Sequence, residues 1–229
     1  MSEAKLTDVD PSSPEGGAKP VKGPAKRRNK RQPDEVLANV MAAATAAFTR
    51  DGFKGARMRS IAADAGITIQ LLIYHVKTKE RLWELVMERI LTEYQQFHQS
   101  RAETIGATSA AERLRQLISD IVLFQSKHPE LHRIMTQEGM QPSPRLSWLS
   151  ERFTRANYDE FLDVAGQAQR EGAIRADLGL PRLWYAIIGI AAVPFSVAAE
   201  YEYLTGKNPF SAGEIKRSIE LIEHMVFGG

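Results

Sequence analysis

Between residues 36 and 76 apolar side chains recur every three to four positions, and glycine interrupts the pattern twice, at Asp51-Gly52 and at Gly66. That rhythm lays apolar groups along one face of a helix and is incompatible with a strand, whose side chains alternate with a period of two. Val36, Val40, Ala44 and Phe48 share one face with Leu37, Met41 and Ala47 beside them, so a first helix is expected over 34–50, with Asp34 and Glu35 at its favourable N-terminal end. Gly52 supplies the left-handed stop that a helix C-terminus prefers. A second helix is expected from Arg57 to Ala65, burying Met58, Ile61 and Ala62 and ending at Gly66. Thr68 is a candidate N-cap for a third helix through His75. The local order is helix, tight glycine turn, helix.

Thr78 is a second candidate N-cap, opening a long fourth helix that carries Leu82, Leu85, Val86, Ile90, Tyr94 and Phe97 at helical intervals. Further helices are expected over 110–126, 129–137, 145–171, 180–204 and 211–227. Strand alternation and solenoid-period repeats are both missing from the sequence, so the chain is expected to be all-α: a three-helix head over 33–80 joined to a larger helical body over 81–229. Residues 1–25 are rich in Pro, Gly, Ser, Lys and Asp without an aromatic residue, which predicts a disordered arm over 1–32. Its end holds Lys26, Arg27, Arg28, Lys30 and Arg31, cations able to follow a phosphate backbone or simply to solubilise the tail.

The net charge of +2 hides an asymmetry. Residues 1–82 hold 15 Lys/Arg and 9 Asp/Glu, a balance of +6, whereas residues 83–229 hold 15 and 19, a balance of −4. A basic front end of that kind suits a polyanion. With 0 cysteines among 229 residues, disulfides, thiol nucleophiles and cysteine-ligated zinc are ruled out. The N-terminus does not read as a signal peptide and the longest apolar run falls short of a membrane span, so a cytoplasmic protein without a membrane partner is expected.

The segment from Gly52-Phe53 through Ile61-Ala62-Ala63-Asp64-Ala65-Gly66-Ile67 to His75-Val76-Lys77-Thr78-Lys79-Glu80-Arg81-Leu82 resembles the N-terminal domain of TetR-family transcriptional regulators. The resemblance covers residues 34–90. It implies a helix-turn-helix whose third helix enters the major groove of double-stranded DNA, at a palindromic operator read by a homodimer. Ile69, Gln70, Leu71, Tyr74 and His75 are the expected outward set of that helix, with Leu72 turned inward. Gln70 has the amide to read adenine, and Ile69 or Leu71 the bulk to meet a thymine methyl. Thr68, Tyr74, His75, Lys77 and Lys79 fall where the family contacts the DNA backbone, Arg59 where some members reach a base, and Arg57 suits a phosphate. Two departures from the family pattern stand out: Ala56 and Arg57 replace the threonines common at the start of the second helix, and Ile73 stands where many members have tyrosine.

For the body, the resemblance implies a small-molecule pocket and dimerisation through the last two helices. Residues 183–199 are apolar apart from Ser196 and contain Pro194, a run expected to be buried on several sides; Ile215, Ile219, Ile222 and Val226 give the last helix a matching stripe. Pocket candidates are the large side chains of the middle helices, Phe97, Phe124, His132, Met135, Trp148, Phe153, Tyr158 and Trp184, which suit an apolar or aromatic effector. His128 and His132 share a helical face, but without a third ligand no metal is expected, nor any cofactor. Without a phosphate-cradling glycine loop, a nucleophile elbow or a carboxylate pair, no enzyme is expected either. The sequence thus reads as a DNA-binding regulator, a homodimeric repressor released by a small effector. The alternative is a constitutive or partner-dependent DNA binder without one.

Overall fold

The computed structural model describes residues 33–228, and the basic arm with Lys26, Arg27, Arg28, Lys30 and Arg31 lies outside the described residues. The helices are α1 (Pro33–Gly55), α2 (Met58–Asp64), α3 (Ile69–Val76), α4 (Lys79–Ile105), α5 (Ala110–Lys127), α6 (Pro129–Gly139), α7 (Pro144–Leu149), α8 (Arg155–Arg170), α9 (Leu180–Ser196), α10 (Ala198–Thr205) and α11 (Ala212–Phe227). There is no strand among the described residues. No single helix among them is long and apolar enough to cross a membrane.

Several helices start where a side chain replaces a missing intrahelical acceptor. The Thr68 hydroxyl accepts from the Leu71 N–H at 3.2 Å and the Thr78 hydroxyl from the Arg81 N–H at 3.1 Å. Ser109 and Glu112 form a reciprocal capping box at the start of α5. In α1 the regular backbone breaks at Gly52 (φ 66°, ψ 175°), the expected stop, and one further turn carries the chain to Gly55.

Two expected helices are not continuous. The 145–171 stretch is α7 and α8 joined by a π-helical turn, Ser150–Thr154, which turns Phe153 into the core. The 180–204 stretch breaks at Val197 into α9 and α10, bent by 82°. Pro194 lacks the N–H that would bond to the carbonyl four residues back, which weakens the helix just before the break. Nor is α9 buried all round: Tyr185 and Val193 are exposed.

Two apolar cores hold these helices. One gathers α1–α4, with Phe48, Ile61, Leu72, Trp83 and Val86, and runs on without a gap to Leu131 and Ile134 of α6, Leu149 of α7 and Phe153. The other joins α5, α8, α9 and α11 through Ile118, Phe161, Ile187, Phe195 and Ile222. The first core makes α6 and α7 an extension of the three-helix head. At that seam Gln137 Nε2 donates to the Thr49 carbonyl at 3.4 Å, and Arg145 lies 3.6 Å over the Phe53 ring while its Nε donates to buried Glu138 at 3.0 Å. Ser143 Oγ donates to the same Glu138 carboxylate at 3.2 Å.

Removing Arg145 takes the cation from a carboxylate that is 7% exposed and leaves it only the Ser143 hydroxyl. Arg145→Ala is therefore expected to lower the urea unfolding free energy by about 2–3 kcal/mol. Adding Glu138→Ala should restore part of that loss, the coupling that a double-mutant cycle reads.

Candidate nucleic-acid interface and ligand cavity

Helix α3 is held by its own period. Leu72 and Val76 are fully buried and Ile69 is half-buried against the same core, a stripe at spacings of three and four. The opposite face is free: Gln70 and His75 are exposed, as are Leu71 (38%), Ile73 (47%) and Tyr74 (68%). This revises the expected outward set in two places. Ile69 belongs to the inward stripe, one turn before Leu72 and two before Val76, and Ile73 takes its place outside. The spacing of 69, 72 and 76 was the signal that separates them.

The end of α3 is a strained turn. Lys77 has φ 63° and ψ −63°, and the Thr78 N–H donates to the Val76 carbonyl at 2.7 Å across it, a three-residue γ-turn in a region that non-glycine residues rarely adopt. The Lys77 ammonium lies 5.2 Å from the Tyr74 ring centroid, and the Tyr74 and His75 rings meet edge-on at 5.3 Å. Arg57 and Arg59 are exposed and form no ion pair among the described residues. Arg57 occupies the N-cap of α2 without a side-chain cap, the structural result of an arginine where threonine is common. Lys79 is engaged elsewhere: its Nζ donates to the Ala56 carbonyl at 3.1 Å and stands 4.6 Å over the Phe53 ring, tying α4 to the loop before α2.

Of the expected pocket residues, Phe124, Met135 and Trp184 line one cavity of about 70 Å³ between α4, α5, α6, α8 and α9. Leu91, Tyr94, Gln125, Thr154, Asn157 and Ile188 complete its wall. Thr154 ends the π-helical turn, which places it against the cavity. The other candidates lie elsewhere. Phe97 packs behind Phe124, Trp148 and Phe153 pack on each other with Trp148 edge-on to Trp83, and Tyr158 meets Trp184 edge-on. His132 Nδ1 lies 3.0 Å from Ser196 Oγ, and burial lowers its pKa. The Gln125 Oε1 atom at the cavity is buried without a hydrogen-bond partner.

A charged cluster invisible in sequence spacing lies beyond Tyr94. Asp120, with no exposed surface, accepts from His98 Nδ1 at 2.6 Å and from Arg101 Nε, while His98 Nε2 lies 3.3 Å from Glu160. Its members are 22, 19 and 62 residues apart in sequence, so only the fold unites them. The Asp120 and Glu160 hydrogen bonds raise the His98 pKa to about 9. His128, by contrast, sits between Glu93 and Glu130 at 3.2 Å each, apart from His132, and no group of three His, Asp or Glu among the described residues is placed to hold a metal.

The His98 contact contributes stability in full below its ordinary value of 6.5 and loses it as the pH rises through about 9. The melting temperature is thus expected to fall between about pH 6 and pH 9.5 more steeply in the wild type than in His98→Gln. Parallel melting curves of the two proteins would contradict that pairing.

No family model matches the chain. It is 29% identical over 111 residues to the HTH-type transcriptional repressor NicS of Pseudomonas putida, covering 48% of this chain and 51% of that protein. The match thus spans about half the length of that relative. The HTH-type transcriptional repressor SCO4008 of Streptomyces coelicolor is 25% identical over 191 residues, 83% of this chain and 94% of that one. Among solved structures, AibR in complex with isovaleryl coenzyme A and operator DNA superposes with a TM-score of 0.66 at 19% identity, over 84% of this chain and 98% of AibR. At that identity the likeness shows a shared fold.

Proposed function

We propose that this chain, a TetR-type helix-turn-helix regulator, is a homodimeric transcriptional repressor that reads a palindromic operator with α3 and releases it when a small molecule enters the α4–α9 cavity. The observation that carries the reading is the division of labour on α3: Leu72 and Val76 hold the helix, while Gln70, Leu71, Ile73, Tyr74 and His75 stand exposed. An exposed face with three large apolar or aromatic side chains beside an amide and an imidazole suits base edges and thymine methyls. Arg57, Arg59, Thr68, Lys77 and Tyr74 surround it and suit phosphates, which position the helix. Lys79, committed to Ala56, acts by fixing α4.

Dimerisation through the last two helices is supported by Tyr185 (73%) and Val193 (44%), two turns apart on α9, and by Leu221 (52%) and Met225 (54%), one turn apart on α11. Exposed apolar residues aligned on two adjoining helices suit a self-complementary face. AibR, of the same fold, is seen with operator DNA and an acyl ligand. In this chain the cavity of about 70 Å³ is smaller than the roughly 150 Å³ that admits a benzene ring, so an effector has to spread α4, α5, α6, α8 and α9. Its apolar wall suits an apolar effector, and the unpartnered Gln125 oxygen suits one bearing a hydroxyl or N–H. Because α6 packs into the head, a ligand that favours the spread state shifts the heads with it. The same small cavity favours a second reading, a constitutive DNA binder without an effector. A regulator of this kind works where the DNA is, in the cytoplasm.

Fluorescence anisotropy with labelled DNA from the chain's own upstream region and a scrambled duplex, at fixed near-physiological salt, tests the reading. Specific binding should exceed nonspecific binding by roughly a thousandfold. Gln70→Ala with Tyr74→Ala should cost about 1–3 kcal/mol per lost base contact without changing the melting temperature. Undiminished operator affinity in the double variant would overturn the assignment of α3. An operator complex that no small molecule dissociates would favour the constitutive reading.

A further inference from the structure

A second cavity, of about 200 Å³, opens at the turn between α4 and α5, with His98, Arg113, Gln116 and Glu160 on its polar side and Leu117 and Val164 on its apolar side. Tyr94, which lines the first cavity, stacks on His98 at 6.2 Å, so this aromatic pair walls the two spaces apart. Gln116 is 6% exposed and its Nε2 is buried without a hydrogen-bond partner. The fold gains nothing from an amide left in that state, since an unpaired buried donor is destabilising. Because Gln116 lines the cavity, a small rotation of its amide presents the donor to an acceptor that enters, water or ligand.

The charges around the cavity do not balance. Asp120 and Glu160 are the two carboxylates of the cluster, and they are taken up by His98 and Arg101. Arg113, exposed at the cavity rim, makes no direct side-chain ion pair or hydrogen bond among the described residues, although its charge helps to lower the Glu160 pKa. Three cations against two carboxylates leave room for one negative charge. Glu160 makes its direct contact with His98 at 3.3 Å, which leaves the Arg113 guanidinium without a carboxylate in hydrogen-bond reach and able to take an anion beside Gln116. The volume exceeds the roughly 150 Å³ of a cavity that holds one aromatic ring, and the Leu117 and Val164 side suits an apolar body more than a naked inorganic ion.

We propose that this cavity is a second ligand site, separate from the effector cavity, which binds a small organic monocarboxylate with its anionic group on the Arg113 guanidinium and the Gln116 amide and its apolar part on Leu117 and Val164. The site stands whether or not the regulator reading holds, because its test needs no DNA.

Ligand-observed NMR titration of the full chain with benzoate and butyrate, each paired with its neutral amide, tests it. One or both carboxylates should bind in the millimolar range or tighter, at least about tenfold more tightly than the amides. Arg113→Gln and Gln116→Leu should each weaken carboxylate binding by about tenfold. Gln116→Leu should not lower the melting temperature, since it removes an unpaired buried amide. Gln125→Leu, in the other cavity, should leave carboxylate binding unchanged. Equal binding of acid and amide, binding of neither acid, or binding lost in Gln125→Leu but retained in Arg113→Gln would each overturn the proposal.

Discussion

Trp83 on α4 has no exposed surface and meets Trp148 of α7 edge-on at 5.9 Å, with the Arg145 guanidinium 5.8 Å from its ring. Around that aromatic contact the head stops being an independent domain. A three-helix unit of this size buries little apolar area by itself, and extending its core into α6 and α7 supplies what it lacks. The cost is autonomy. Whatever displaces α6 or α7 must either repack the Trp83 contact or carry the head along, and close-packed interiors resist the first. That single constraint couples movements of the body to the position of α3.

The second core has a different character. Helices α5, α8, α9 and α11 bury a mostly aliphatic set around Phe161 and Phe195, and leave Tyr185, Val193, Leu221 and Met225 outside. Where the two cores approach along α4 and α5, the fold places Tyr94, His98 and Asp120 in line. Burial pushes the Tyr94 phenol well above its usual range, so it stays neutral, while His98 carries charge. One turn of helix thus separates an apolar cavity from a polar one.

The head was legible in sequence because its determinants are local. Gly52, Thr68 and Thr78 act within a few residues of themselves, and the structure finds the expected stop and both caps. Ile69 and Ile73 were harder, since residues four apart share a face and only the phase against Leu72 and Val76 decides which is buried. The breaks at the π-helical turn and at Val197 escaped because a periodic apolar pattern runs through them unchanged. Pro194 was the visible warning. The cavity wall was least legible: Phe124, Met135 and Trp184 stand out by size and do line it, but Asn157 and Thr154 reach it through the register of a π turn. The Asp120 cluster joins helices that only tertiary packing brings together.

The γ-turn at Lys77 leaves no slack between α3 and α4. A longer linker would absorb rotation; one strained residue transmits it. Helix α4 has 27 residues, a rod of about 40 Å, so a tilt of about 5° at its far end sweeps the head end through roughly 3–4 Å. The turn therefore works as a short crank: it converts a small angle in the body into a linear displacement of α3.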